Sequence, residues 1–180
     1  MFPSPFQNIA KLLFTPEKHI FDKIQALREL VPKGGREKWL SMHVRGYFNS
    51  AKGSRWAFEC VNKLLRDGDI HKVVFFSESA KSVAMARTMM DEEFENRLII
   101  PKKEFVNDTA QHMDSLGIRD QMNTATAEWY FIGEADYCMS STIEISTFSA
   151  TSIVRGSVIV ILFIDMHQIY LNASCLICIT

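Results

Sequence analysis

The chain has 180 residues, of which 47% are hydrophobic and 23% charged. A globular domain of this size buries roughly 70% of the surface that its unfolded chain exposes, so it needs neither a disulfide nor a metal to fold, and the composition excludes disordered, collagenous and coiled-coil proteins. The 20 basic residues nearly cancel the 21 acidic ones, for a net charge of -1, which argues against a dedicated nucleic-acid-binding protein, because such proteins carry a basic excess.

The first predicted elements are a helix, a strand and a second helix. Apolar residues recur at intervals of three and four over residues 17–31, which predicts a helix with one apolar face. Residues 39–45 alternate as in a β-strand. Ser54 is the candidate N-cap of the next helix, which Asp67 and Gly68 are expected to end.

The middle of the chain continues the alternation of strands and helices. The apolar run at residues 72–76 predicts a second strand, and residues 80–90 predict a third helix. Residues 97–100 are predicted to form a short strand that ends before Pro101. The polar stretch at 102–119 is predicted to be a loop.

The last part of the chain returns to helix and strand patterns. Residues 124–134 predict a helix with Ala125, Trp129 and Ile132 on one side. The remaining predicted elements are, in chain order, a strand at 136–140, a helix at 147–155 and a strand at 157–164.

Strands that alternate with helices of about ten residues predict βαβ units and a parallel sheet. We therefore expect residues 17–165 to form one α/β domain, a Rossmann-like parallel sheet flanked by helices. Residues 1–16 are then a linker, and residues 166–180 are an apolar tail of uncertain role. Ligands of such sheets bind outside the carboxyl ends of the strands.

The four cysteines do not predict a metal or redox site. Only Cys175 and Cys178 have a suitable spacing, and they lie in an apolar segment without a second pair. We expect free and mostly buried thiols.

Neither end of the chain predicts a membrane segment. The longest apolar run, residues 158–164, is far shorter than the roughly 18 residues that span a bilayer, and the N-terminus lacks a secretory signal pattern. We expect any membrane anchor to lie outside this chain.

His43 and Arg45 are the first candidate site residues. Two residues apart in a strand, their side chains are expected on one face, at the carboxyl end of the first strand. An arginine there can bind a phosphate with two parallel hydrogen bonds. The alternative is a solvated strand end with no ligand.

Two further polar clusters follow strands of the predicted sheet. Ser77 and Glu78 end the second strand. Ser146, Thr147 and Phe148 precede a predicted helix, whose free N–H groups and dipole favour an anion. The alternative for these hydroxyl groups is ordinary N-capping. The sequence has no glycine-rich phosphate loop, which argues against an NTPase or a nicotinamide dehydrogenase.

Several of these segments together resemble a known enzyme superfamily. Residues 127–140 (AEWYFIGEADYCMS) and 146–151 (STFSAT) resemble the last motif of the GDP-fucose-dependent fucosyltransferases. Residues 43–46 (HVRG) resemble their first motif and residues 73–79 (VVFFSES) their middle motif. Residues 13–16 (LFTP) are similar to the segment that joins the two halves of those enzymes.

The resemblance implies the donor-binding half of a GT-B-like glycosyltransferase. Such enzymes bind GDP-fucose and transfer fucose with inversion to a glycan or protein acceptor, without a required metal or other cofactor. Arg45 then holds the diphosphate, and His43 orients Arg45 or contacts the nucleotide. Ser77 or Glu78 contacts the guanine or ribose. The residues expected around the phosphates and base are Ser146, Thr147 and Phe148.

The resemblance also implies the lumen of the Golgi or endoplasmic reticulum as the location. The acceptor-binding half is expected outside these 180 residues, so the chain is interpreted as one half of an enzyme, and as a possible truncated product. Two alternatives stay open: an inactive domain that still binds the nucleotide sugar, and an unrelated α/β binding domain. The expected partners are a nucleotide sugar and a glycan or glycoprotein acceptor, with no nucleic acid.

Overall fold

The computed structural model describes residues 15–31, 37–44, 51–77, 79–102, 119–140 and 159–162. Its helices are α1 (Lys18–Arg28), α2 (Ala51–Arg66), α3 (Ala80–Met89) and α4 (Arg119–Ile132), with one 3-10 helix at Glu92–Arg97. Its strands are β1 (Trp39–Val44), β2 (Lys72–Ser77), β3 (Leu98–Ile99), β4 (Tyr137–Ser140) and β5 (Ile159–Leu162).

The five strands form one sheet in the order β3-β2-β1-β4-β5, and every neighbouring pair is parallel. The chain builds the sheet outward from β1 to β3, then returns to add β4 on the other side of β1. This confirms the predicted α/β architecture, a Rossmann-like parallel sheet flanked by helices. Because parallel crossovers are right-handed, the reversal of direction puts later helices on the opposite face.

One face of the sheet is covered by α2 and α3. The alternate β1 residues Leu40, Met42 and Val44 are buried on this face. They belong to one apolar cluster with side chains of α2, including Phe58 and Val61. Phe58 also contacts Phe75 of β2, with ring centroids 5.9 Å apart. The strand alternation therefore decides which residues meet α2.

The other face is covered by α4, with α1 packed beside it. Trp39 of β1 stacks on Phe131 of α4 at 4.8 Å between ring centroids, and Phe76 of β2 meets the same ring edge-on at 6.1 Å. Ile24 of α1 is buried against Ala127 and Tyr130 of α4. Both faces of the sheet are thus apolar, as a parallel sheet between two helix layers requires.

Two helices begin earlier than the sequence predicts. The helix that Ser54 was expected to cap starts at Ala51, so Ser54 lies inside α2. Helix α4 starts at Arg119, within the end of the predicted loop. Polar residues near a helix start resemble a loop in sequence, and tertiary packing decides how far the helix extends. The predicted end of α2 is confirmed, because Gly68 has a φ of 79°, a conformation that favours glycine.

The buried face of α4 differs from the predicted one. Of the three residues expected on that face, only Ile132 is buried, while Ala125 and Trp129 are half-buried. The buried face also contains Ala127 and Phe131. Helix α4 packs on both the sheet and α1, so its apolar surface is wider than a single stripe.

The cysteines differ from the expectation of free thiols. Cys138 is free and buried, but Cys60 is disulfide-bonded, and its partner is not among the described residues. The predicted helix at 147–155, residues 1–14 of the predicted linker at 1–16 and the tail at 166–180 also lie outside the described ranges. Among the described helices, none has the length and apolarity needed to cross a membrane.

Candidate functional site

The carboxyl ends of three adjacent strands bring together polar residues that are distant in sequence. His43 is the Cα partner of Ser140 across the β1–β4 pair, and Val44 is the partner of Ser77 across the β1–β2 pair. The strand ends at which the sequence predicts a site are therefore neighbours in the sheet. The partners follow from parallel register, in which equivalent ends of the strands align.

The strand order places a topological switch point between β1 and β4. The chain leaves β1 toward β2 and β3 on one side, and adds β4 and β5 on the other. Ligands of open α/β sheets bind in the crevice that this reversal opens at the carboxyl edge. His43 and Ser140 are the described residues on the two strands that border it.

His43 and Ser77 lie on opposite faces of the sheet. Ser77 pairs with Val44, which belongs to the cluster on the α2 face. His43 pairs with Phe76, which belongs to the cluster on the α4 face. Because successive strand residues point to opposite faces, a ligand can reach both side chains only by lying across the edge of the sheet.

The Ser77 hydroxyl has a structural partner. Its Oγ accepts a hydrogen bond from the backbone N–H of Ser79 at 3.2 Å. The Oγ of Ser79 in turn accepts from the backbone N–H of Ser82 at 3.3 Å and so caps α3. These bonds shape the turn between β2 and α3.

A small open depression lies at the carboxyl ends of β2 and β3. Its volume is about 10 Å³, which is about enough for one water molecule. Five of the seven residues that line it are apolar, and the two polar ones come from β2 and α4. The residues that line it are Phe75, Phe76, Ser77, Val83, Ile100, Pro101 and Glu128.

Glu128 is the residue that the sequence reasoning missed. It lies on α4 and lines the depression together with Ser77 of β2. In sequence it stands between Ala127 and the aromatic run Trp129-Tyr130-Phe131. An acidic residue within an otherwise core-forming stretch of helix is the signal in the sequence, because such residues are usually paired with another group of the protein, as Glu128 is.

The one free cysteine of the described chain is not a candidate nucleophile. Cys138 lies in β4, two residues before Ser140, and burial raises the pKa of its thiol, an effect that a hydrogen bond with Ser41 only partly offsets. The thiolate is the reactive form of cysteine. Cys138 therefore stays neutral and unreactive near pH 7.

The remaining predicted site residues, Arg45, Glu78, Ser146, Thr147 and Phe148, lie outside the described residues. Within the described ranges, no group of three or more His, Cys, Asp or Glu side chains could hold a metal ion.

Comparison with known proteins gave no relative. No protein-family model matches the chain, and no curated protein matches it at a significant level. The chain's own residues and the motifs described above are therefore the basis on which its function is inferred.

Proposed function

We propose that this chain is the donor-binding domain of an inverting, fucosyltransferase-like glycosyltransferase, which binds GDP-fucose and transfers fucose to a glycan or protein acceptor. The observation that carries the proposal is the strand order. It brings the carboxyl ends of β1, β2 and β4, which lie within the three motif segments, to one edge beside the switch point. That edge is where α/β sheets bind nucleotides.

Arg45 follows β1 directly in the sequence and is proposed to bind the diphosphate. In an inverting transfer, an acceptor hydroxyl oxygen forms the new bond to the anomeric carbon while the bond from that carbon to the phosphate oxygen breaks. GDP leaves with the electron pair, and Arg45 stabilises the developing negative charge. A base of the acceptor-binding half takes the hydroxyl proton. Ser146, Thr147 and Phe148 complete the phosphate and base contacts, and His43 orients Arg45.

The disulfide of Cys60 supports a lumenal location. Disulfides persist in oxidising compartments, of which the lumen of the secretory pathway is one, and are rare in the cytosol. A structural disulfide at Cys60 is therefore consistent with the Golgi or endoplasmic reticulum.

Thermal unfolding in the presence of GDP, ADP and no ligand tests the proposal. GDP at 100 times its dissociation constant is expected to add about 2.7 kcal/mol to the free energy of unfolding, and ADP at the same concentration much less.

Transfer or hydrolysis assays with GDP-fucose separate an enzyme from an inactive nucleotide-binding domain. Turnover is expected to be lost in Arg45→Ala and kept in Arg87→Ala, an exposed arginine of α3. GDP binding without any turnover supports the inactive domain. Folded protein that GDP does not stabilise contradicts both nucleotide-binding functions.

A further inference from the structure

Cys60 and Asn62 lie on the two flanks of α2. Each is one position from Val61, which is 0% exposed in the middle of the buried side of the helix, so they lie about 100° from it in opposite directions. The Asn62 flank faces the end of α3, because Asn62 bonds to Met89 and Asp91. Helix α3 connects β2 to β3, at one edge of the sheet. The Cys60 flank therefore faces the other way, toward β4.

Both flanks of α2 are buried, but the described helices account for only one of them. Asn62 is 5% exposed and Cys60 is 3% exposed. Of the described helices, α3 lies on the Asn62 flank, and α1 and α4 lie on the other face of the sheet. The Cys60 sulfur is bonded to a second cysteine, so this partner brings its own segment to the Cys60 flank.

The cysteines of the chain leave two possible partners for Cys60. The chain has four cysteines, and Cys138 is free and belongs to the cluster on the opposite face of the sheet. The disulfide within this chain is therefore formed with Cys175 or Cys178, both of which follow β5 in the sequence.

The position of β5 makes this pairing possible. It is the strand next to β4 at the edge of the sheet, which is the side that the Cys60 flank faces. The 13 residues from Leu162 to Cys175 can span up to about 43 Å, whereas two strand spacings and one packed layer each measure about 10 Å. Residues 166–180 contain no Asp, Glu, Lys or Arg, so they can cover apolar surface without burying a charge.

We propose that a disulfide joins Cys60 to Cys175 or Cys178 and holds the segment 163–180 on the flank of α2 beside β4. The two thiols lose two protons and two electrons when the bond forms, and a second disulfide such as oxidised glutathione accepts them by thiol–disulfide exchange. The segment after β5 is then a covering element of the α2 face. This link is independent of the function proposed above.

Peptide mapping of the unchanged protein without reductant tests the proposal. After free thiols are blocked, trypsin separates residues 56–63, which contain Cys60, from residues 120–155 with Cys138 and residues 156–180 with the last two cysteines. Mass spectrometry is expected to find 56–63 linked to 156–180, and 120–155 with a blocked thiol, in protein that migrates as a monomer. A blocked Cys60, a link from 56–63 to 120–155, or a link between two copies of the chain overturns the proposal.

Melting temperatures of serine variants test whether the link holds the segment in place. Cys60→Ser and the double variant Cys175→Ser, Cys178→Ser are each expected to melt about 5 °C or more below the unchanged protein. The triple variant is expected to lose no more than either, because one bond is removed in each case. As the control, dithiothreitol should lower the melting temperature of the unchanged protein alone. Losses that add in the triple variant, or a double variant as stable as the unchanged protein, contradict the proposal.

Discussion

Cys138 shows how burial controls the chemistry of a single residue. Its side chain is 1% exposed and packs with Trp39 and Phe131 between the sheet and α4. Loss of hydration disfavours the thiolate, so the pKa of the thiol is raised. The thiol therefore behaves as a small apolar group of the core.

The stability of the protein is expected to fall at alkaline pH because of Cys138. Below the ordinary thiol pKa of 9.0, the folded and unfolded chains both hold the proton. Above it the unfolded chain ionises first, since the folded pKa is the higher of the two, and the free energy of unfolding falls by up to about 1.4 kcal/mol per pH unit until the folded pKa is passed.

Urea denaturation checks this expectation. The free energy of unfolding is measured between about pH 7 and pH 10 for the unchanged protein and for Cys138→Ala. Groups other than Cys138 titrate in both proteins, so the difference between the two curves isolates the thiol. The difference should be constant near pH 7 and should shift in favour of the alanine variant above the ordinary thiol pKa. A difference that stays constant over the whole range contradicts the prediction.

Asn62 joins two elements on the α2 face. Its side-chain amide nitrogen donates to the Met89 carbonyl at 3.2 Å and to the Asp91 carboxylate at 3.0 Å, and its oxygen accepts from the Asp91 N–H at 3.3 Å. These bonds tie α2 to the segment between α3 and the 3-10 helix. Arg66 adds an ion pair to Asp91 at 2.7 Å, but both side chains are largely exposed, so its contribution is small.

Asn62→Ala is expected to lower the free energy of unfolding by about 2–3 kcal/mol, because the buried Asn62 side chain loses its hydrogen bonds with Met89 and Asp91. Chemical denaturation gives the value. Lys63→Ala, an exposed position on the same helix, is the control and should change stability by less than about 0.5 kcal/mol. Equal effects of the two substitutions would mean that the Asn62 bonds contribute nothing beyond helix propensity.

On the other face of the sheet, a hydrogen-bonded ion pair joins α1 to the turn after α4. The Arg28 guanidinium donates from Nε to Glu134 at 2.8 Å, and from Nη2 to the other carboxylate oxygen. The hydrogen bond with Glu134 raises the pKa of Arg28. Because more than a third of each side chain is exposed, the pair contributes about 0–1 kcal/mol, and the packing of Ile24 on α4 holds α1 more firmly.

At the scale of the whole molecule, one sheet supports both helix layers. Phe58 is buried on the α2 face and Phe131 on the α4 face, and each contacts a ring that belongs to a strand. Neither helix layer can keep its packing if the strands separate. We therefore expect the described domain to unfold in a single cooperative transition, as most single domains of this size do.

Phe58→Leu and Phe131→Leu test that cooperativity from opposite faces. Each is expected to lower the free energy of unfolding by about 1–2 kcal/mol through lost volume in the core, and each should shift the same transition. Far-ultraviolet circular dichroism and tryptophan fluorescence are to be recorded for both variants. Two probes that report separate midpoints in either variant would show that the layers unfold independently.

The sequence by itself determined the strands, most of the helices and the carboxyl-edge position of His43 and Ser77. These features depend on patterns of apolar and polar residues within one element, where neighbouring positions carry the signal. Even there the predicted start of α2 and the predicted buried face of α4 are wrong, because packing against other elements sets both.

Only the tertiary structure decided which strands are neighbours and which side chains share a site. The order β3-β2-β1-β4-β5 depends on contacts between segments far apart in sequence, which no local pattern contains. The parallel register of β1 and β2 places His43 and Ser77 on opposite faces of the sheet, and the packing of α4 brings Glu128 to the depression that Ser77 also lines. Local periodicity fixes where a side chain lies on its own element, but the packing of several elements fixes what it faces.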